Sequence, residues 1–162
     1  MKPTVYVALS LSHVRTDEEK DAVRRFLSWL ETTFDITLLR WAFNTETWTP
    51  EPVADIYEFD TEKVLGSDLM IALYLTNEGS DGRGGEVVNR VERSGKAVVA
   101  FAKQGVRVSR YASDCLKKVG ANIMPFNDFD DMKPAIEAAL ADVTPREVQD
   151  ELALTLQPAT PS

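Results

Sequence analysis

Apolar residues along the chain alternate between short continuous runs and stretches spaced by three or four. Thr4–Leu9 (TVYVAL) is a run of strand length, and a serine-containing loop, Ser10–Thr16, follows it. From Asp17 to Thr33 the apolar residues Val23, Phe26, Leu27 and Leu30 recur at helical spacing, with Thr16 or Asp17 as the cap. Asp35–Arg40 reads as a second strand, and Trp41–Asp55, rich in aromatics, threonine and proline, has no clean period. That segment is expected to be a loop over one sheet edge, either a lid or an Ω-loop anchored by Trp41, Phe43 and Trp48.

A helix over Ile56–Leu65 leads into a third strand, Asp68–Tyr74. A glycine-rich stretch and a helix then precede a fourth strand, Ala97–Ala102. A helix around Tyr111–Val119, a fifth strand in ANIMPF and a helix over Asp130–Ala141 complete the pattern. Strands alternating with helices predict an α/β fold: a flavodoxin-like or Rossmann-like doubly wound parallel sheet of five strands with helices on both faces. Residues 1–142 form one domain in this reading. Residues 143–162 form a tail with a helical stretch after Thr144-Pro145 and a loose end, whose Val148, Leu152, Leu154 and Leu156 could dock on this subunit or another.

Between the third and fourth strands lie four glycines in seven residues, Gly79 to Gly85, followed at once by Glu86. This reads as a strand-to-helix turn at the carboxyl edge of the sheet, where open parallel sheets hold ligands. Gly82, Gly84 and Gly85 permit close backbone approach, and free N–H groups at a helix start favour an anion. Val87, Val88 and Val91 would then face the core, with Asn89, Arg90, Glu92 and Arg93 facing solvent. Glu86 is expected in the first turn, where the helix dipole favours its ionised form. As a simple first-turn acid it would need no further role.

Composition narrows the chemistry. The 162 residues suit one packed domain, and a hydrophobic fraction of 44% with 27% charged residues is that of a globular chain with no membrane-length apolar run. The start, MKPTVYVALSLS, lacks the long apolar region of a signal peptide. Cys115 is the sole cysteine and His13 the sole histidine. No intrachain disulfide can form, zinc sites built from several His or Cys ligands are excluded, and a reducing cytoplasm is the expected location. Eighteen basic against 26 acidic residues give a net charge of −8, which argues against nucleic-acid polymers as partners but permits a small phosphorylated ligand.

Three motifs in order carry a resemblance: VYVALS with Tyr6; DTEKVLGSDLMIALYL, where Asp60 and Asp68 stand eight residues apart; and SDGRGGEVVNRVERSGKAVVAF with Glu86. Together they resemble the nucleoside 2-deoxyribosyltransferase family and its relatives, the 2′-deoxynucleoside 5′-monophosphate N-hydrolases, over roughly Thr4–Phe126. The resemblance implies that Glu86 attacks the anomeric carbon to give a covalent glycosyl-enzyme, Asp60 serves the leaving base and Tyr6 orients the Glu86 carboxylate. N-glycoside cleavage builds positive character on the sugar and negative charge on the base, so it calls for one ionised and one protonated carboxyl. Asp68 reads as structural.

The same resemblance separates the two branches through serines. Ser80, six residues before Glu86, stands where the hydrolases carry a phosphate-contacting serine and the transferases an Asp, and Asp81 is next to it. Ser10 and Ser109 match two further phosphate-contacting serines, with Arg110 or Arg83 adding charge. Substrate contacts are therefore expected from Ser10, Ser80, Asp81, Gly82, Gly84, Ser109 and Arg110. The hydrolases usually place an arginine two residues beyond the first serine; this chain has Ser12. The implied enzyme needs no cofactor or metal, takes a nucleoside or nucleotide, and works as a homodimer or larger assembly. Base exchange on deoxynucleosides and noncatalytic nucleotide binding on the same fold are the alternatives. The cytokinin-activating "lonely guy" proteins, with Pro-Gly-Gly-x-Gly-Thr before Glu, are echoed only faintly by GRGGE.

Overall fold

The computed structural model describes residues 2–78 and 80–143, and of residues 80–85 the backbone alone. Five parallel strands, β1 (Thr4–Ala8), β2 (Thr37–Leu38), β5 (Leu69–Tyr74), β6 (Val98–Lys103) and β7 (Ile123–Phe126), form one sheet in the order β2-β1-β5-β6-β7. This is the flavodoxin-like order, with its switch point between β1 and β5. All six residues of β5 are buried, as a central strand covered on both faces requires. The edges are short: β2 has two residues, and β7 carries Pro125.

Helix α1 (Asp17–Thr33) starts at a capping box in which the Thr16 hydroxyl accepts from the Glu19 N–H while the Glu19 carboxylate accepts from the Thr16 N–H. It buries Val23, Phe26 and Leu30. Phe26 and Leu30 join Val5, Val7, Ile71, Phe101, Met132 and Ile136 in one core layer. The last helix runs over 133–143 and is preceded by a 3-10 turn, Phe129–Met132, so the helix expected from Asp130 begins in tighter form. The opposite face holds α2 (Ile56–Gly66), α3 (Ser80–Ser94) and α4 (Arg110–Lys118), with Val64, Val87, Ala112 and Leu116 packed on Tyr6, Met70, Ala72 and Ala100. The expected tail helix after Thr144 lies outside the described residues.

Three local expectations are corrected. The segment 41–55 contains a small antiparallel hairpin, β3 (Phe43–Asn44) with β4 (Thr49–Pro50). Too short to show a period, it is held by side chains: the Trp48 ring meets Phe43 edge-on at 5.3 Å, and Lys20 and Arg24 lie over its face. Second, α3 begins at Ser80 and runs through Gly82, Gly84 and Gly85, so Glu86 lies in its second turn rather than its first. Glycine costs a helix about 1 kcal/mol per residue, but such propensities yield to packing, and this helix is anchored downstream by fully buried Val87 and Arg90. The dipole falls off within the first turn, which removes that argument for an ionised Glu86. Third, Arg90 is not on the solvent face: it is fully buried.

Candidate active site

The two carboxylates come from adjacent helices. Asp55 caps α2 by accepting from the Glu58 N–H at 3.0 Å, and one turn further on Asp60 faces α3. Asp60, Thr61, Val64 and Tyr57 from α2, with Glu86 and Asn89 from α3, line a cleft of about 280 Å³. Both helices descend from the carboxyl edge of the sheet, so the cleft opens near the β1/β5 switch point. Tyr6, only 3% exposed, lies beneath on β1. Burial pushes its phenol far above the ordinary tyrosine range, and the negative charges of Glu86 and then Asp60 push it further. The Tyr6 O–H therefore stays protonated and can only donate or accept, not carry charge. Tyr6, Asp60 and Glu86, far apart in sequence, are thus one electrostatic cluster.

Asp60 is half-buried, and its Oδ1 is shielded from solvent with no hydrogen-bond partner among the described residues. Desolvation raises its pKa above the usual carboxylate value. Burial does this because only the charged form loses strong hydration. A carboxyl whose pKa is raised beside a second carboxylate suits general-acid chemistry.

Asp68, by contrast, is structural. Its Oδ2 accepts from the Thr4 N–H at 2.7 Å and from the Thr4 hydroxyl at 3.0 Å, at the amino ends of β1 and β5 and away from the cleft.

The expected phosphate contacts are more dispersed. Ser10 follows β1, with its Oγ 2.8 Å from His13 Nδ1; Ser12 Oγ lies 3.2 Å from the same nitrogen. Ser109 caps α4, accepting from the Ala112 N–H at 3.1 Å, and Arg110 is exposed at the first position of that helix. Loops after β1, β5 and β6 are tied across the carboxyl edge by an Arg15–Glu78 ion pair at 3.6 Å and by the Arg107 N–H donating to Asn77 Oδ1 at 2.7 Å. Ser80, Asp81, Gly82 and Gly84 form the opening of α3, and their side chains lie outside the described residues.

Sequence reasoning missed Asn89, Tyr57 and Thr61 as cleft residues. Helical spacing alone points to them: Asn89 is three residues past Glu86, Tyr57 three before Asp60, and Thr61 four past Tyr57. A second cleft of about 410 Å³ lies by the hairpin, lined by Glu31, Arg40, Trp41, Asn44, Glu46 and Glu51 among others. None of Tyr6, Asp60 and Glu86 lines it. Among the described residues no group of three or more His, Cys, Asp or Glu side chains could hold a metal ion, and no helix is long and apolar enough to cross a membrane.

By sequence the chain matches no protein-family model and no curated protein. Solved structures do share its fold. A 2-deoxyribosyltransferase from Bacillus psychrosaccharolyticus superposes with a TM-score of 0.55 at 17% identity, over 80% of this chain and 89% of that one. A Clostridium botulinum CMP N-glycosidase gives 0.52 at 13% identity, over 83% and 98%. A conserved protein from Enterococcus faecalis gives 0.55 at 18% identity, over 90% and 99%. At these identities the likeness is one of fold.

Proposed function

We propose that this chain is an N-glycosidase that cleaves the base–sugar bond of nucleoside 5′-monophosphates, with deoxynucleotides favoured, through a covalent intermediate on Glu86. The observation that carries this reading is the meeting of Asp60 and Glu86 in one cleft above buried Tyr6, with Asp60 held toward its protonated form. The fold shared with a 2-deoxyribosyltransferase and a CMP N-glycosidase supports it.

In the first step a Glu86 carboxylate oxygen bonds to C1′ as the C1′–N bond breaks. The bonding pair leaves with the base, which takes the Asp60 proton. The Tyr6 O–H, which keeps its proton, donates a hydrogen bond to the Glu86 carboxylate and holds the attacking oxygen in line. In the second step a water oxygen attacks C1′ and releases Glu86, while Asp60, now ionised, takes the water proton; both carboxyls return to their starting states. Ser10, Ser80 and Ser109, with the N–H groups of the α3 opening around Gly82 and Gly84 and the charge of Arg110, would receive the 5′-phosphate, with Asp81 turned toward another part of the substrate. An assembly of two or more copies would complete the base pocket.

The test is base release from a panel of ribo- and deoxynucleosides and their 5′-monophosphates, with and without an added free base, followed by chromatography. Release from monophosphates, abolished in Glu86→Ala, is the expected result. Exchange on unphosphorylated deoxynucleosides would replace the hydrolase reading with a deoxyribosyltransferase, and silence across the panel would replace it with a binding domain.

A further inference from the structure

Arg90 is the largest fully buried side chain described, and it is a cation. Its guanidinium donates to four oxygens: Nε to the Ala97 carbonyl at 3.1 Å, Nη1 to the Val64 carbonyl and to Ser67 Oγ at 2.7 Å, and Nη2 to the Ser67 carbonyl at 2.8 Å. Burial lowers its pKa to about 10, opposed by the negative charge of Asp68. A buried charge is costly even when its hydrogen bonds are satisfied, and an apolar residue of similar volume often packs as well. Holding the helix against the sheet does not by itself call for an arginine.

Its position offers a reason. Glu86 and Arg90 are four residues apart on α3, and Asp60 and Val64 are four residues apart on α2, so each pair shares a helix face. The Arg90–Val64 bond therefore joins the two helices one turn, about 6 Å, below the two carboxyl groups. Val64 also lines the carboxylate cleft. The bonds to Ser67 and Ala97 fix the same guanidinium to the chain entering β5 and β6, so the clamp is referenced to the sheet and not only to the neighbouring helix.

Building on the glycosidase reading, we infer that Arg90 is a positioning residue that sets the separation of Glu86 and Asp60 by clamping α2 to α3 through the Val64 carbonyl and Ser67. It touches neither substrate nor the reacting atoms. A helix pair free to slide or splay by an ångström would misplace the proton donor relative to the attacking oxygen, an error that costs roughly 10- to 100-fold in rate.

Two variants that retain the positive charge test this while keeping charge loss out of the result. Arg90→Lys has one ammonium head that cannot span all four oxygens; Ser67→Ala keeps the arginine and deletes one acceptor. The Asp60 carboxyl is titrated by carbon-13 NMR in folded wild type and both variants; among the described residues the ionisable groups around it are Tyr6 on β1, Glu86 on α3 and Tyr57 on its own helix. Relaxed packing admits water to Asp60, so its pKa is expected to fall toward the ordinary carboxylate value in Arg90→Lys and by less in Ser67→Ala. On a cleaved substrate, kcat is expected to drop roughly 10-fold or more in Arg90→Lys with KM nearly unchanged. An unchanged Asp60 titration in both folded variants, with only a lower unfolding temperature, overturns the inference. Because that titration needs no substrate, it decides the clamp even if no nucleotide is cleaved, an outcome that would count against the glycosidase reading instead.

Discussion

Thr4 and Asp68 form a reciprocal bridge: the Thr4 N–H and hydroxyl donate to one carboxylate oxygen, and the Asp68 N–H donates back to Thr4 Oγ1 at 3.1 Å. It joins the starts of β1 and β5, at the far end of the sheet from the candidate site. Thr4→Val should therefore cost about 1–2 kcal/mol of stability, since it removes the hydroxyl that donates to the Asp68 carboxylate while the Asp68 N–H keeps the Thr4 carbonyl at 2.9 Å, and should leave kcat of the folded enzyme alone. Urea unfolding measures the first and steady-state kinetics the second; a large loss of kcat would assign this end of the sheet a part in catalysis.

Asp60 should trade stability for activity. Its folded-state pKa is raised, so the proton stabilises the fold at low pH, and that contribution is lost as pH rises through the folded value. Asp60→Asn removes the buried charge, and its unfolding temperature should exceed that of the wild type by a few degrees at pH 8 but not at pH 4. Base release should fall by roughly 10²- to 10⁴-fold for bases that leave only when protonated. A variant less stable than wild type at pH 8 would contradict this account of the cleft.

Glu86→Ala should be inactive yet open to rescue. A small anion such as azide can enter the space of the lost carboxylate and attack C1′ from the same face, forming a glycosyl azide while Asp60 still protonates the base. Mass spectrometry of the product would detect it. Base release that persists undiminished in Glu86→Ala without added anion would remove Glu86 from the reaction.

Tyr6→Phe separates orientation from acid chemistry. Because the phenol is held protonated far above its usual range, it does not titrate in the working pH range. The expected outcome is a kcat lowered by roughly 10- to 100-fold with the alkaline limb of the pH profile in place, since Asp60 sets that limb. A profile measured from pH 5 to 9 checks this. An alkaline limb displaced by a whole unit in Tyr6→Phe would assign the titration to Tyr6.

Much of the fold is legible from pattern alone. The helix read over Asp17–Thr33 has those bounds in the structure, because Thr16 and Glu19 announce the start and Val23, Phe26 and Leu30 keep a single period. Each strand of the sheet is a short apolar run between turn residues. What eluded the pattern is where tertiary contacts overrule a local rule. Glycines at 82, 84 and 85 signal a turn, yet packing beyond Glu86 carries the helix through them. Arg90 sits where polarity predicts solvent, because nothing local reveals four oxygens waiting inside. At the site, the glycine-rich stretch alone points to Glu86, and Tyr6 and Asp60 join it through the family resemblance of three motifs; the structure places the three near one another. The serine contacts rest on single residues in loops. For Ser109 a helix cap already accounts for its hydroxyl as an acceptor.

The form of the sheet edges bears on how copies of this chain can meet. An exposed strand is a template on which another strand can pair, and chains that aggregate often begin there. β2 offers only two residues for such pairing, and Pro125 brings no N–H to β7. Neither margin can readily propagate a ladder, so the sheet is closed to growth in both directions. Among the described residues, a second copy is therefore expected to associate through surfaces other than these two strand edges.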